Sequence, residues 1–234
     1  MIEQYTTKLL QKNTVAQNTY QILLEKPENF SFNSGQFMML DFANPKYRDD
    51  RPTFRAMSIA SAPHEDFLMF VMRGSESAFK KNIANMKEGD EIIVKGPMGH
   101  VALPEDDNVP IVFLVAGVGI TPARSMIKYE EYKSSNRSIT LIYASRTKDS
   151  IALYDELKNV SLNNYKVVFT LTREEGEWDG KRGRIDEQMI KEAVDEIQKP
   201  MYYIVGTGKF VDSMKEILQK MGIDSSRMQF DNFG

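Results

Sequence analysis

Short apolar runs separated by turn-forming residues occupy the first hundred residues of the chain. The runs alternate with polar residues or are continuously apolar, and Gly, Asn and Asp stand between them, a pattern typical of antiparallel strands. Regular spacing of this kind favours an antiparallel barrel or sandwich. One stretch instead predicts a helix, over residues 77–86. The predicted strands cover residues 7–24, with breaks at Asn13 and Asn18, and residues 36–42, 56–60, 67–72 and 91–95.

The period of the apolar pattern changes after a polar, proline-bounded stretch at residues 104–110. Predicted strands then alternate with predicted helices, which indicates parallel βαβ units in a doubly wound α/β sheet. The strands are predicted over 109–116, 138–144, 165–172, 201–205 and 227–233, and the helices over 122–133, 150–159, 185–197 and 209–221. We therefore expect two domains, one over residues 1–104 and one over residues 105–234.

The most informative stretch covers residues 109–126. It opens with an uninterrupted apolar run, typical of a strand buried on both faces of a parallel sheet. Gly117 and Gly119 then permit a tight turn and a close approach of other groups to the backbone. Thr121 is predicted to cap the next helix with its hydroxyl, and Pro122 suits the first helical position. Free N–H groups at such a helix start attract an anion, most often phosphate, although an ordinary strand-to-helix turn is the alternative explanation.

Two motifs in the first part of the chain also suit phosphate. Arg55 offers a planar guanidinium, and Ser58 offers a small hydroxyl three residues later. Gly74 permits a turn, after which Ser75 or Ser77 is predicted to cap a helix and leave N–H groups free for an anion. Each motif alone has an equally good explanation that involves no ligand. Arg55 and Ser58 would then be a surface arginine and a strand serine, and the Gly74–Ser77 segment would be an ordinary helix cap.

Composition narrows the chemistry further. The 234 residues include 30 basic and 33 acidic side chains, a net charge of −3 that gives no reason to expect nucleic-acid binding. The absence of cysteine excludes disulfides, thiolate metal sites and cysteine-bound iron–sulfur clusters, and the two histidines stand in no metal-ligand spacing, so we expect no metal. The first residues lack a signal-peptide pattern, and no apolar run reaches the roughly 20 residues of a membrane span. We therefore expect a cytoplasmic protein.

The order of the motifs resembles that of the ferredoxin–NADP reductase family, and the resemblance covers essentially the whole chain. It implies an FAD-binding antiparallel β-barrel over residues 1–104 and an NAD(P)-binding α/β domain over residues 105–234, without an attached iron–sulfur domain. The resemblance rests on Gly-Gln at 35–36, Arg-x-x-Ser at 55–58, Gly-x-x-Ser at 74–77, Gly-Asp at 89–90, Gly-Pro-x-Gly at 96–99 and Gly-x-Gly-x-Thr-Pro at 117–122.

For the flavin, the resemblance implies two binding segments in the first part of the chain. Arg55 would contact a flavin phosphate, and Ser58 would contact the isoalloxazine or ribityl edge as a candidate catalytic residue. Met57 stands where the family has a stacking tyrosine; its thioether can cover an aromatic face but offers no phenol. FAD is expected rather than FMN. The implied flavin-binding residues are Arg55, Ala56, Met57, Ser58, Gly74, Ser75, Glu76 and Ser77.

For the pyridine nucleotide, the resemblance implies a pyrophosphate loop at Gly117 and Gly119, with Thr121 close to both the flavin and the nicotinamide. Val205 replaces the cysteine of the family's Cys-Gly-Pro turn, which removes a thiol beside the hydride path. Polar residues after the second and third parallel strands favour NADPH over NADH, although solvated loop charges explain them equally. The implied residues are Gly117, Gly119, Thr121, Pro122, Ser145, Arg146, Thr172, Arg173, Gly206 and Thr207.

The end of the chain matches the family pattern only in part. Phe233 would stack on the flavin, or it is a core residue of the last strand. Asp231 is a candidate for proton relay, with a solvated strand-end carboxylate as the alternative, and it completes the candidate catalytic set with Ser58 and Thr121.

The resemblance implies a flavin-dependent oxidoreductase that passes electrons from NAD(P)H through FAD to a separate carrier, such as ferredoxin or flavodoxin, or to a small-molecule acceptor. One alternative is an electron-transfer subunit of a larger oxidoreductase complex with little activity alone. Another is a nucleotide-binding regulatory module that has lost hydride transfer. Neither the acceptor nor the oligomeric state follows from the sequence.

Overall fold

The computed structural model describes residues 2–232 and contains two six-stranded sheets. The first sheet is antiparallel and has the strand order β4-β3-β6-β1-β2-β5. Its strands are β1 (Gln4–Ala16), β2 (Thr19–Glu25), β3 (Phe37–Asp41), β4 (Arg55–Ser58), β5 (Phe67–Arg73) and β6 (Glu91–Met98). The beginning of β1 pairs with β6 and its remainder pairs with β2, so that the sheet curls. The fold is barrel-like but open, because β4 and β5 form no ladder with each other in the part of the chain described.

Helix α1 (Ala78–Asn85) packs against this curled sheet and agrees with the predicted helix. It buries Phe79 and Ile83 against alternate residues of the strands, such as Ile22. Its last carbonyls accept hydrogen bonds from the Lys12 ammonium, which lies 2.8 Å from the Met86 oxygen. A basic group at this position complements the negative end of the helix dipole.

The second sheet is wholly parallel and has the order β10-β9-β8-β7-β11-β12. Helices cover both of its faces, two on each, so the predicted doubly wound α/β architecture is confirmed. The strands are β7 (Ile111–Ala116), β8 (Ile139–Ser145), β9 (Tyr165–Leu171), β10 (Lys181–Arg182), β11 (Met201–Gly206) and β12 (Met228–Asn232). The helices are α2 (Ile120–Tyr132) and α3 (Tyr154–Lys158) on one face, and α4 (Glu187–Ala193) and α5 (Gly208–Lys220) on the other.

Some element boundaries differ from the sequence predictions. The helix predicted over 150–159 is shortened to α3, because Leu153 adopts a left-handed φ of 61° that separates the helix from a 3-10 turn at Lys148–Ser150. The helix predicted over 185–197 ends at Ala193, and Val194 is already extended. The two-residue strand β10 was not predicted, since a strand this short leaves no periodic pattern.

The two sheets share an apolar cluster. Ala60, Met69 and Val71 from the first half pack in the same cluster as residues of β7 and α2. The polar segment between the halves is fixed by Arg137, whose guanidinium donates to the Pro104 oxygen at 2.8 Å and to the Val109 oxygen at 3.0 Å, among other acceptors. We propose a division into domains at this segment, with residues 1–104 and 105–234 on either side.

None of the helices formed by residues 2–232 is both long enough and apolar enough to cross a bilayer.

Candidate functional site

A cleft of about 500 Å³ opens at the carboxyl ends of the parallel strands. This edge is where ligands of open α/β sheets bind. The turns that follow β7, β8, β9 and β11 line the cleft, together with Arg73 from the first half of the chain. It brings together the predicted residues Gly117, Gly119, Ser145, Arg146, Thr172, Gly206 and Thr207.

The glycine-rich turn after β7 has the backbone properties that the sequence predicts. Gly117 adopts a positive φ of 57°, a conformation that favours glycine. A Cβ atom on Gly119 would lie only 2.3 Å from the Val205 carbonyl oxygen. Glycine at this position therefore lets the turn approach the end of β11 directly.

Thr121 does not cap the helix, contrary to the prediction. The turn at Gly117–Gly119 is a 3-10 turn that continues into α2, so the helix begins at Ile120 with Gly119 as its N-cap. The Thr121 hydroxyl instead donates back to the Val118 oxygen at 3.1 Å. Pro122 lies inside the first turn of the helix rather than at its first position.

Tyr143 forms a hydrogen bond to the glycine-rich turn, a contact that the sequence did not predict. Its hydroxyl donates to the Gly117 oxygen at 2.9 Å and accepts from the Ala152 N–H at 3.2 Å. Burial raises the pKa of Tyr143 to about 12, so the hydroxyl stays protonated and remains a donor. A tyrosine inside a buried strand gives no local signal of such a contact.

Four basic side chains line the cleft: Arg73, Arg146, Arg184 and Lys209. Only Arg146 was predicted. Arg73 belongs to the first half of the chain, and its Nη2 atom lies 3.8 Å from the position of a Cβ on Gly117. Among the described residues no carboxylate lines the cleft, so the cations favour an anionic ligand there.

Arg173 behaves differently from Arg146. It is exposed and does not line the cleft, and its backbone N–H donates to the Arg146 oxygen at 2.8 Å. The structure therefore does not bring the Arg173 side chain together with the other predicted residues.

The Arg-x-x-Ser motif lies on β4. Arg55 donates to the Phe54 oxygen at 2.7 Å, and its guanidinium lies 5.6 Å from the centre of the Phe79 ring. Ser58 is buried, with 4 % of its surface exposed, and Met57 is half-buried against the core of the curled sheet. Ala56, between them, is exposed.

The start of α1 is capped by a residue that sequence reasoning missed. Ser77 occupies the N-cap position, but its hydroxyl makes no capping bond. Asp49, from the loop between β3 and β4, accepts the Ala78 N–H at 2.8 Å, and this bond lowers the pKa of its carboxyl. The prediction that Ser75 or Ser77 caps this helix is therefore wrong, because a loop distant in sequence supplies the acceptor.

The other residues of the Gly-x-x-Ser segment have structural contacts of their own. The Gly74 N–H donates to the Asn18 oxygen at 2.8 Å, and the Ser75 and Ser77 hydroxyls lie 3.1 Å apart. Glu76 forms an exposed ion pair of 2.8 Å with Lys81.

Positive charge gathers beside this segment. The Lys80 ammonium donates to the Arg73 carbonyl oxygen. Burial lowers the pKa of Lys80, and the neighbouring charges of Arg73 and Arg55 lower it further. The start of α1 thus combines a helix N-terminus with cations, an arrangement that suits an anion.

Asp231 lies on β12 beside Val205, and both line a cavity of about 10 Å³ together with Pro122. Burial raises the pKa of the Asp231 carboxyl. The predicted role of Phe233 falls outside the described residues.

The chain is similar to known oxidoreductases, and the family match falls on the half that forms the parallel sheet and most of the cleft. Residues 113–216 match the family described as "Oxidoreductase NAD-binding domain". The chain is 27% identical over 228 residues to the glycine betaine monooxygenase reductase subunit of Pseudomonas aeruginosa, covering 92% of this chain and 60% of the relative. It is 26% identical over 221 residues to a flavohemoprotein of Bacillus subtilis, covering 89% of this chain and 54% of the relative. The chain thus spans little more than half the length of these relatives.

A solved structure with the same fold is a ferredoxin NADP+ reductase from Neisseria gonorrhoeae with bound FAD and NADP. The two share a TM-score of 0.84 at 22% identity, with 98% of each chain covered. This likeness shows that the chain has the two-sheet fold of that structure, and the family match places the residues described as an oxidoreductase NAD-binding domain within the parallel sheet.

Proposed function

We propose that the chain transfers electrons from NAD(P)H through FAD to a separate acceptor. The observation that carries the proposal is the glycine-rich cleft, in which basic side chains from both halves of the chain meet. The nicotinamide supplies a hydride, and a flavin can take up two electrons and release them singly. The task of the chain is then to bind the two cofactors, orient them and exclude water.

The chemistry of the cleft fits a pyridine nucleotide. Gly117 leaves its backbone open to a pyrophosphate, Gly119 lets the turn pack against the end of β11, and Arg73 reaches the same turn from the first half. Gly206 ends β11 and Thr207 follows it, and this edge of the cleft would receive the nicotinamide. Arg146 and Arg184, with Ser145 and Thr172, supply groups suited to a 2′-phosphate, which favours NADPH over NADH.

The chemistry beside α1 fits a dinucleotide flavin. The Ala78 N–H already binds an anion, the Asp49 carboxylate, and Arg55, Arg73 and Lys80 concentrate positive charge nearby. A diphosphate suits such a combination of backbone donors and cations. This favours FAD over FMN along the Gly74–Ser77 segment. In this arrangement Met57 would cover part of the flavin ring.

The catalytic assignments follow from the same arrangement. Ser58 and Thr121 would lie at the flavin and nicotinamide rings, where they would orient the cofactors. The Asp231 carboxyl would hold a proton close to these two rings. Its raised pKa is consistent with a carboxyl that is protonated more readily than an exposed one.

The acceptor proposed for the electrons is a separate carrier such as ferredoxin or flavodoxin. One observation favours the alternative, an electron-transfer subunit of a larger complex. A relative matched over 92% of this chain is a reductase subunit, and the chain spans only 60% of that relative.

Cofactor analysis of the purified protein tests the proposal. Flavin released on denaturation should be FAD, and anaerobic addition of NADPH or NADH should bleach its absorbance. Protein that is colourless, and stays so after incubation with FAD and FMN, would exclude the proposed function. Turnover with an artificial electron acceptor separates the alternatives, because brisk turnover of the chain alone favours a free-standing reductase.

A further inference from the structure

Arg124 connects the two halves of the chain through a cluster of ion pairs, in which the arginine is buried and its carboxylate partners are partly exposed. It lies in α2, three residues after Thr121, and only 5 % of it is exposed. Its guanidinium donates to the Ala60 oxygen at 2.9 Å, to Glu65 Oε1 at 2.9 Å and to Glu156 Oε1 at 3.0 Å. We call Arg124, Glu65 and Glu156 the Arg124 cluster.

The Arg124 cluster forms hydrogen bonds to the connection between β4 and β5. Ala60 lies two residues after Ser58 in this connection. Glu65 also accepts the Ala62 N–H at 2.5 Å, so one carboxylate binds both the connection and the arginine. The neighbouring Ser125 hydroxyl donates to the Ser61 oxygen at 2.6 Å. The segment after the Arg-x-x-Ser motif is therefore held by two consecutive residues of α2.

The hydrogen bonds and ion pairs of Arg124 depend on direction, unlike the apolar contacts between the two halves. Apolar contacts between the halves, such as those of Met69 and Val71, stabilise the interface without fixing an angle, because the hydrophobic effect has no direction. A planar guanidinium that binds two carboxylates and a carbonyl fixes both distance and orientation. Buried ion pairs add little stability compared with apolar packing of the same volume. What the cluster adds at this interface is a defined geometry.

We propose that Arg124 is a positioning residue, which sets the orientation of the flavin segment of β4 relative to the nicotinamide segment at the start of α2. This inference rests on the proposed function. With both cofactors bound, the two segments would hold the nicotinamide and flavin rings, between which a hydride with its two electrons would pass and leave oxidised nicotinamide. The transfer requires the reacting atoms to be about 3–3.5 Å apart, and a misplacement of about 1 Å slows such a step by up to about 100-fold.

The first measurement is stopped-flow reduction of the bound flavin in Arg124→Met. The rate constant for flavin reduction should fall about 10- to 100-fold, while flavin content and the Kd for NADP+ stay within about twofold of wild type. Arg124→Lys keeps the charge without the planar fork and should give an intermediate rate. Lys128→Met is the matched control, since Lys128 lies one turn later on the same helix and pairs with Glu131 of that helix.

The second measurement needs no cofactor. The chain has no cysteine, so spin labels can be placed on Leu10→Cys in β1 and Glu216→Cys in α5, two exposed positions in different halves. Electron–electron resonance should give a narrow distance distribution in the otherwise wild-type protein and a broader or shifted one with Arg124→Met. Arg124→Met leaves the negative charges of Glu65 and Glu156 without a partner, and the variant could fail to fold for that reason. In that case the triple variant Arg124→Met/Glu65→Gln/Glu156→Gln, which also neutralises the two carboxylates, is measured instead.

The two measurements separate the inference from the proposed function. An unchanged distance distribution together with an unchanged reduction rate overturns the positioning role. A lower rate that comes only from lost flavin or weakened NADP+ binding also overturns it. If the protein takes up no flavin at all, the proposed function fails, and an unbroadened distance distribution then rejects the directional role of the cluster separately.

Discussion

The basic residues of the cleft reach it from different parts of the fold. Arg73 ends β5, Arg146 follows β8, Arg184 follows β10, and Lys209 lies in the first turn of α5. Arginine can bind a phosphate with two parallel bonds, whereas lysine acts as a single charge. Each of the three arginines can therefore bind a phosphate with paired hydrogen bonds, whereas Lys209 contributes mainly positive charge.

The proposed preference for NADPH can be tested at Arg146 and Arg184. Replacing either by alanine should raise KM for NADPH by about 10- to 100-fold, since a charge-assisted hydrogen bond contributes about 1.5–3 kcal/mol, and should change KM for NADH much less. Steady-state kinetics with both nucleotides checks this.

Arg173→Ala is the comparison variant for this test. Arg173 does not line the cleft, so its replacement should leave both KM values within about twofold. An effect at Arg173 equal to that at Arg146 would support the sequence prediction against the structure. Equal effects of Arg146→Ala on both nucleotides would reject the 2′-phosphate assignment.

Flavin retention is expected to depend on Arg55. Arg55→Ala removes a cation from the group that gathers beside α1, so the purified variant should contain markedly less FAD. The ratio of flavin to protein absorbance measures the loss. Arg48→Ala, which removes an exposed arginine of the nearby loop, is the control. A variant that purifies with full flavin content would remove Arg55 from the binding site.

The stability of the protein should depend on pH through Asp231. Burial raises the pKa of this carboxyl above its value in the unfolded chain, so folding disfavours the ionised form. Its contribution to stability is therefore full below the unfolded pKa and is lost as pH rises through the folded pKa. As pH rises, the wild type should lose this contribution while Asp231→Asn does not, so the free energy of unfolding of the variant should increase relative to that of wild type. Urea unfolding of both proteins at about pH 4 to 7 would detect the change. A difference between the two proteins that is constant with pH would contradict the shift.

At the scale of elements, the glycine-rich turn depends on the contact between Gly119 and the end of β11. Gly119→Ala should destabilise the protein by about 1–3 kcal/mol, because its Cβ would meet the Val205 carbonyl oxygen, a backbone atom that cannot move freely. Gly208→Ala is the matched control, since a Cβ there meets nothing within 4 Å at the start of α5. Denaturant unfolding of both variants measures the difference, and equal midpoints would show that the turn yields without cost.

The same elements explain how far the sequence alone could lead. The strand and glycines of residues 111–119 are predictable because each requirement, burial on both faces and a backbone without Cβ, appears in the residue itself. The roles of Asp49, Arg73 and Tyr143 were not predictable, since each depends on a partner brought close only by the folded sheets. The misplaced cap at Thr121 has a related cause: the sequence suits a cap, but the 3-10 turn before it had already begun the helix.

At the scale of the whole molecule, the shared apolar cluster and the Arg124 cluster predict that both halves unfold together. Trp178 is the single tryptophan, belongs to the second half, and packs against the shared cluster, so its fluorescence reports on that half. Release of bound flavin would report on the first half. In a cooperative molecule the two signals change at the same denaturant concentration, because neither half retains its shared core alone. Loss of flavin well before the change at Trp178 would mean that the halves are independently stable, and that their orientation is not fixed by the contacts between them.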